Sequence, residues 1–307
     1  MKYHDIIEPI AISVLERELN EERFVRLTRK GGNEIYIINH HNSPNVMREV
    51  GRLREVTFRA AGGGTGEAID IDEFDTIEHC YEQLIVWSPA DKEIIGGYRF
   101  IKCAKSIQAE GEPALSTAHY FKFTDDFKQN YLPYTIELGR SFVQPNYQPS
   151  VNPRKGLFAL DNIWDGLGAL VILNPDIQYF FGKVTMYPDY NTESRDLLLY
   201  FLKQYFPDNE ALMTPKTPLQ QNFDEVEFER LLKGLEFKDG FKVLNQYVRS
   251  RGENIPPLIN IYMNLSPSMK TFGTAINSEF GNVEETGILI TIDDIYPQKR
   301  ERYIVDF

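Results

Sequence analysis

Tyr134-Thr135-Ile136-Glu137-Leu138-Gly139-Arg140-Ser141-Phe142-Val143 is the stretch on which the fold turns. Its β-branched and aromatic residues predict a strand over residues 134–143. In a regular strand Glu137 and Arg140 would point to opposite faces, because odd spacing flips the side chain. Gly139 between them suits a β-bulge, which inserts a residue, brings both side chains to one face and frees a backbone N–H. A loop rich in Pro and Asn follows at 145–153, then a helix from about 157 to 173 and a strand from about 178 to 187.

Working outward, the charges of this strand belong to a spaced series: Arg54-x-x-x-Phe58, Asp72-x-x-Asp75, Arg99 and Glu137-x-x-Arg140. Ser43-Pro44 is a good N-cap and first-turn pair, and Val46, Met47, Val50, Leu53 and Phe58 follow at helical spacing. Arg54 shares a face with Met47, Gly51 and Phe58, so its guanidinium is partly buried and needs carboxylate or carbonyl partners. Asp70-Ile71-Asp72-Glu73-Phe74-Asp75 supplies acids just after the turn Gly62-Gly63-Gly64-Thr65-Gly66. Arg54, Arg99 and Arg140 outnumber what Glu137 alone can satisfy, so Asp72 and Asp75 complete the network. Either the network closes on itself, or a surplus guanidinium binds an acceptor carboxylate in a bidentate fork. Glu137 likewise has two readings, a general base or a partner for these arginines.

Elsewhere the pattern predicts a leading helix over 9–19, strands at 34–39, 81–87, 94–101 and 120–123, helices at 194–205, 225–235, 241–249 and 256–265, and strands at 270–277 and 287–293. Residues 207–223 read as a long exposed loop. With 307 residues, 42% of them apolar, the chain can build one large or two modest cores. The longest apolar run, 167–173, is too short to span a bilayer, and the N-terminus lacks a signal-peptide order, so a cytoplasmic protein is expected. Cys80 and Cys103 are too few for a disulfide framework and read as core thiols. The net charge of -12 argues against nucleic acid as a partner. The five histidines show no metal-ligand spacing, and neither a serine-nucleophile motif nor a Walker loop is present, so no metal and no covalent intermediate is called for.

Together, Gly51-Arg52-Leu53-Arg54-Glu55-Val56-Thr57-Phe58-Arg59, the 70–75 acids, Ile95-Gly96-Gly97-Tyr98-Arg99-Phe100 and Glu137-Leu138-Gly139-Arg140-Ser141-Phe142-Val143 resemble the acyl-homoserine-lactone autoinducer synthases. They resemble more closely the N-acyl amino acid and ornithine-lipid synthases, often labelled haemolysin-like, that draw acyl chains from acyl carrier protein. Both belong to the GNAT superfamily. The likeness covers residues 34–187 and continues weakly through 255–263. The tryptophan that autoinducer synthases usually carry after Arg-x-x-x-Phe is absent here.

The resemblance implies an α/β (α+β) fold: a GNAT-type mixed, mostly antiparallel sheet flanked by helices, with a helical and two-stranded C-terminal extension. It divides the chain into a helical lead (1–33), an acyltransferase core (34–190) and an extension packed on the core (191–307). It implies an N-acyltransferase moving a fatty or 3-hydroxy fatty acyl group from acyl carrier protein to the α-amine of a small amino acid, glycine or ornithine, by direct attack on the thioester. Glu137 would be the base, with Arg140 beside it. The backbone of Gly139, Ser141, Phe142 and Val143 would receive the thioester carbonyl and oxyanion. Arg54, Phe58, Asp72, Asp75 and Arg99 would form the substrate-binding or structural charge network. The phosphate arm would meet the loop before the 157 helix, at Arg154, Lys155 and Gly156. Enzymes of this class that use coenzyme A usually carry Gln/Arg-x-x-Gly-x-Gly/Ala there; this chain has Arg154-Lys155-Gly156-Leu157-Phe158-Ala159, which suits a single phosphate.

The donor, acyl-phosphopantetheine or acyl-coenzyme A, is then a co-substrate and no cofactor is tightly bound. An acidic carrier would need a local basic patch, for which Lys102 with Lys105, Arg154 with Lys155, and Lys183 are candidates. Phe121, Phe123, Phe142, Phe180 and Phe181 either line an acyl tunnel or pack the core. The alternatives are a coenzyme A-dependent acetyltransferase and a non-catalytic protein that binds acyl chains or a membrane surface. Peripheral contact with the inner membrane face is a further expectation.

Overall fold

Runs of β-branched and aromatic residues become strands in the computed structural model, which describes residues 3–108, 111–223 and 225–304. Helix α1 (Ile12–Glu18) precedes β1 (Phe24–Leu27), β2 (Glu34–Ile38), helix α2 (Pro44–Ala60) and the single turn α3 (Glu73–Thr76). Strands β3 (Glu82–Ser88) and β4 (Glu93–Lys102) form a hairpin, the short β5 (Phe121–Phe123) follows, and β6 (Thr135–Val143) is the stretch quoted above. Helix α4 (Ala159–Leu173) leads to β7 (Tyr179–Met186). Then come α5 (Thr192–Tyr205), β8 (Met213–Pro215), α6 (Glu225–Leu232), α7 (Phe237–Ser250), α8 (Pro257–Met263), β9 (Lys270–Asn277), β10 (Val283–Thr291) and α9 (Pro297–Tyr303).

Eight strands make one sheet in the order β1-β2-β3-β4-β6-β7-β10-β9. Every neighbouring pair is antiparallel except the central β6 and β7. The expected fold class holds: a large, mostly antiparallel sheet flanked by helices. Strand alternation sorts its side chains: Leu84, Val86, Ile136 and Phe180 pack with α4, α5, α7 and α8, whereas Ile85, Trp87 and Phe142 meet α1 and α2. A third cluster gathers Phe121, Phe123, Phe181 and Phe272 where β5 and β8 lie over the sheet. Burial on both faces accounts for the nearly unbroken apolar text of β3 and β4.

Helix α2 carries the first part of the site. Its Val46, Met47, Val50 and Leu53 are at most 4% exposed, and each contributes about 1.5–3 kcal/mol over an exposed position. Pro44 opens the helix as expected, but Ser43 makes no side-chain cap bond. The carboxylate of Glu18 in α1 accepts instead from Asn45 N at 2.9 Å and Val46 N at 2.8 Å. An acid there meets both the orphan donors and the helix dipole.

Some expectations need correction. Residues 207–223 are not simply an exposed loop: Leu212 and Met213 are buried, and β8 pairs with β5. Strand β5 accordingly stands outside the main sheet. Strands β9 and β10 join that sheet through β10 beside β7. The edge strand β1, the turn α3 and helix α9 were not anticipated; all three are short, and α9 packs against the distant α4. The helical run Lys155–Leu173 is long and apolar enough to cross a membrane; here Ile163, Trp164, Ala169 and Leu170 are core residues.

Candidate active site

The bulge exists, one residue later than the glycine suggested. Across β4 and β6, Gly97 faces Phe142 and Arg99 faces Gly139, so β6 spends three steps against two. The residue in the left-handed region is Arg140, at φ +50, whereas Gly139 has no such value. An L side chain there costs about 1–2 kcal/mol. Ion pairs to Asp70 at 2.9 Å and Asp72 at 3.7 Å, and the Phe280 ring 4.4 Å from the guanidinium, offset it. Arg140 thereby reaches the face that Arg99 and Glu137 occupy. The parallel register of β6 with β7 runs from Thr135 opposite Tyr179 to Leu138 opposite Gly182 and ends there, while β7 continues along β10. From Gly139 to Val143, β6 therefore has no ladder partner on its β7 side among the described residues, and a wedge opens at the bulge.

The three arginines are matched by three aspartates. Arg54 is 0% exposed and binds Asp75 at 3.1 Å, the Asp70 carbonyl at 3.4 Å and the amide oxygen of Gln83. Gln83 Nε2 donates to the other Asp75 oxygen at 3.0 Å. Arg99 binds Asp72 at 2.7 Å and Asp75 at 3.2 Å. Burial disfavours the charge at both arginines. At Arg54 burial prevails and lowers the pKa, whereas at Arg99 Asp75 and Asp72 outweigh it and raise the pKa. Asp70 is pushed up by burial against the pull of Arg140 and Arg54. Asp72 also pays a burial penalty, but Arg99, then Arg140 and Arg54, bring it down to about 2. Each of the three guanidinium groups thus has a carboxylate partner, while Arg54 Nε and Arg99 Nε have no hydrogen-bond partner among the described residues. Phe58 takes no part in the charges and packs edge-on against Phe280, ring centroids 5.2 Å apart.

Glu137 stands outside this network. Its side chain is fully buried and, among the described residues, forms no ion pair. Neutral hydroxyls hold it: Tyr81 and Ser116 donate to Oε1 at 2.7 and 2.8 Å, and Thr117 donates to Oε2 at 2.5 Å. Ser116 N in turn donates to the Tyr81 hydroxyl at 3.0 Å. Burial, then the charge of Glu137, keeps the Tyr81 phenol protonated. The Tyr81 ring lies 4.9 Å from the Arg99 guanidinium, so one side chain separates the carboxylate from the arginines.

The loop before α4 is tied down differently from expectation. Lys155 bridges Asp91 at 3.0 Å and Glu93 at 3.7 Å and lies 5.0 Å from the Tyr147 ring. Arg154 is exposed. Gly156 lets the loop close, since a Cβ there would stand 2.8 Å from the Tyr147 carbonyl oxygen. Of the other basic candidates, Lys105 is exposed and Lys102 pairs with Asp176 at 3.0 Å. Lys183 is no surface charge: it pairs with Glu285 at 2.5 Å, and burial lowers its pKa. The five phenylalanines are divided among three packed clusters and do not share one tunnel.

Residues that sequence reasoning missed are Tyr81, Gln83, Ser116 and Thr117, the ion-pair role of Asp70, and Phe280, Tyr120 and the Lys183–Glu285 pair. Uncharged hydroxyls leave no charge imbalance to notice, and Phe280 and Glu285 arrive from the turn between β9 and β10 and from β10, which join the sheet late in the chain. Cys103 is buried and free beside Glu137, with burial raising its thiol pKa.

A mixed sheet whose central parallel pair parts beside a bulge is the architecture of the GNAT acyltransferases. Residues 53–154 match the family described as an acetyltransferase (GNAT) domain. The chain is 56% identical over 304 residues to a glycine N(alpha)-acyltransferase of Bacteroides thetaiotaomicron, covering 99% of this chain and 90% of that protein. It is 53% identical over 305 residues to a glycine N(alpha)-acyltransferase of Phocaeicola vulgatus, covering 99% and 93%. No solved structure matches it. The chain belongs to the GNAT N-acyltransferase family and is an acyltransferase.

Proposed function

We propose that the protein transfers a fatty or 3-hydroxy fatty acyl group from the phosphopantetheine thioester of acyl carrier protein to the α-amine of glycine. The carrying observation is the wedge between β6 and β7, opening beside the Arg140 bulge and next to Glu137. The two glycine-acylating relatives support the acceptor. The tethering of Lys155 supports the donor, because it leaves Arg154 for a single phosphate and not an array for a pyrophosphate.

In the reaction the amine attacks the thioester carbonyl, the C–N bond forms and the C–S bond breaks. The ammonium gives up two protons. One reaches the departing thiol and the other is released, with Glu137 as the base that relays it through the Thr117 and Ser116 hydroxyls. Those backbone N–H groups of residues 139–143 that point away from β4, to the edge without a ladder partner, steady the oxyanion; such a donor is worth about 10²–10³ in rate. Arg154 beside the exposed Val151 and Leu157, 63% and 65% accessible, offers an acidic carrier a basic and apolar landing. The site of action in this reading is the cytoplasm, with product delivered at the inner membrane face.

The test incubates the protein and glycine with a long-chain 3-hydroxyacyl carrier protein, the same acyl-coenzyme A, or acetyl-coenzyme A, and reads products by mass spectrometry. N-acylglycine formed fastest from the carrier is the expected result. Turnover of acetyl-coenzyme A alone would overturn it in favour of an ordinary acetyltransferase.

A further inference from the structure

A cavity of about 370 Å³ lies where the segment after Ser116 and Thr117 meets the turn between β9 and β10, and its walls include His119, Tyr120, Lys216, Asn277 and Glu279. Two contacts place it beside the reaction centre. The Tyr120 ring lies 4.7 Å from Lys183 Nζ, and Lys183 follows Gly182, where the β6–β7 pairing stops. On the other side Phe280, next to Glu279, lies against Arg140 of the bulge.

Asn277 is 1% exposed, and its Oδ1 has no hydrogen-bond partner among the described residues. Its amide orientation is set, because Nδ2 donates to Glu285 Oε1 at 3.2 Å and a carboxylate oxygen can only accept. A buried acceptor left without a donor is costly, so this oxygen is suited to an incoming N–H. Lys216 Nζ donates to the Ala118 carbonyl at 2.6 Å and retains two further N–H groups for an anion.

We propose that this cavity is the acceptor subsite: Asn277 Oδ1 receives an N–H of the amino acid's amine while Lys216 holds its α-carboxylate. The proposal rests on the N-acyltransferase reading above and adds the place where the acceptor binds, a site suited to a small amino acid with an uncharged side chain. The walls carry one lysine and one glutamate, Lys216 and Glu279, which balance a zwitterion. A diamino acid would need a further acid, and Glu285 is already engaged by Lys183. The volume is near the lower end for small-molecule sites, on the order of 300 Å³.

The test is steady-state kinetics at saturating acyl donor with two variants, Lys216→Met, at an exposed position, and Asn277→Ala. Both are expected to raise the KM for glycine about tenfold or more, with the KM for the donor unchanged. Glycinamide separates a binding role from a structural one. The wild-type protein should prefer glycine to glycinamide by about tenfold or more, and Lys216→Met should lose that preference. Unchanged glycine KM in both variants, or an unchanged preference in Lys216→Met, overturns the subsite. If the wild-type protein acylates another amino acid and not glycine, the glycine reading fails by itself, and the same variants judge the cavity with that acceptor.

Discussion

Two buried groups of charge share one face of the sheet and are stabilised by opposite means. Arg54, Arg99 and Arg140 are matched against Asp70, Asp72 and Asp75, so every carboxylate has a cation. Glu137 is as deeply buried and, among the described residues, is held by the hydroxyls of Tyr81, Ser116 and Thr117. A carboxylate locked to guanidinium cannot take a proton without stranding a buried cation. One cradled by hydroxyls can, because each hydroxyl can turn from donor to acceptor. In the proposed reaction this difference would separate scaffold from chemistry, and it can be tested from both sides.

The largest effect is expected at the cradle. Glu137→Gln keeps an amide oxygen for Tyr81 and Ser116, and its NH₂ finds Thr117 Oγ1, which reverses its role. The fold should therefore survive, with the melting temperature within a few degrees, while kcat falls by about 10²–10⁴. Stopped-time product assays on protein of verified fold decide it. A loss under about tenfold would make the cradle a packing feature.

In the network the outcomes should reverse. Arg54→Ala removes the central cation and leaves Asp75 buried with Arg99 as its remaining ion pair. Stability should fall by about 3–5 kcal/mol in urea unfolding, as when one partner of a buried pair is deleted. The fraction that stays folded should turn over at a rate within about tenfold of wild type. A stable but inactive Arg54→Ala protein would assign the network to catalysis.

This division was only half legible in the text. Arg54 announces itself, because a charge on the stripe of Met47 and Phe58 has to be buried and has to be paired. The acids at 70–75 follow from counting charges, although Asp70 emerged as a partner only when the bulge swung Arg140 toward it. The bulge was readable from the odd spacing of Glu137 and Arg140, but not that its left-handed residue would be Arg140 and not the neighbouring glycine. Glycine can adopt that conformation, but the ion pairs that hold it belong to Arg140. The hydroxyls around Glu137 were not legible, since Tyr81, Ser116 and Thr117 carry no charge and come from two separate segments. Nor was the cavity beside Asn277, which depends on β9 and β10 joining the sheet.

A subtler contrast lies within the network. Asp70 is raised by burial and Asp72, two residues on, is held at about 2 chiefly by Arg99 against its own burial. The folded value of Asp72 lies below the ordinary one, so its contribution is fully present above about pH 4 and is lost as pH falls through about 2. It amounts to about 2 kcal/mol. Unfolding free energy measured from pH 5 to 2 should drop for the wild-type protein and drop less steeply for Asp72→Asn. Equal slopes would mean that Arg99 is satisfied by Asp75 alone.

The smallest effect on stability is expected at the boundary between the two regions, at Gly139. A Cβ there would meet Arg99 Nε at 3.6 Å and Arg99 Cγ at 3.7 Å, ordinary contact, and the backbone is not left-handed. Gly139→Ala should thus change stability by under about 1 kcal/mol, in the favourable direction, through a less flexible unfolded chain. Gly96, on the neighbouring strand, is the control, because a Cβ there would overlap the Phe142 carbonyl oxygen, and Gly96→Ala should cost about 3 kcal/mol. Arg99 Nε is buried without a partner among the described residues, and the space above Gly139 lies beside it at the mouth of the wedge. If the thioester passes there, the added methyl displaces it, and kcat should fall by about tenfold to a hundredfold while the unfolding curve hardly moves. A Gly139→Ala protein as active as wild type would move the thioester away from this notch and leave Gly139 as a residue tolerated by the bulge without being needed by it.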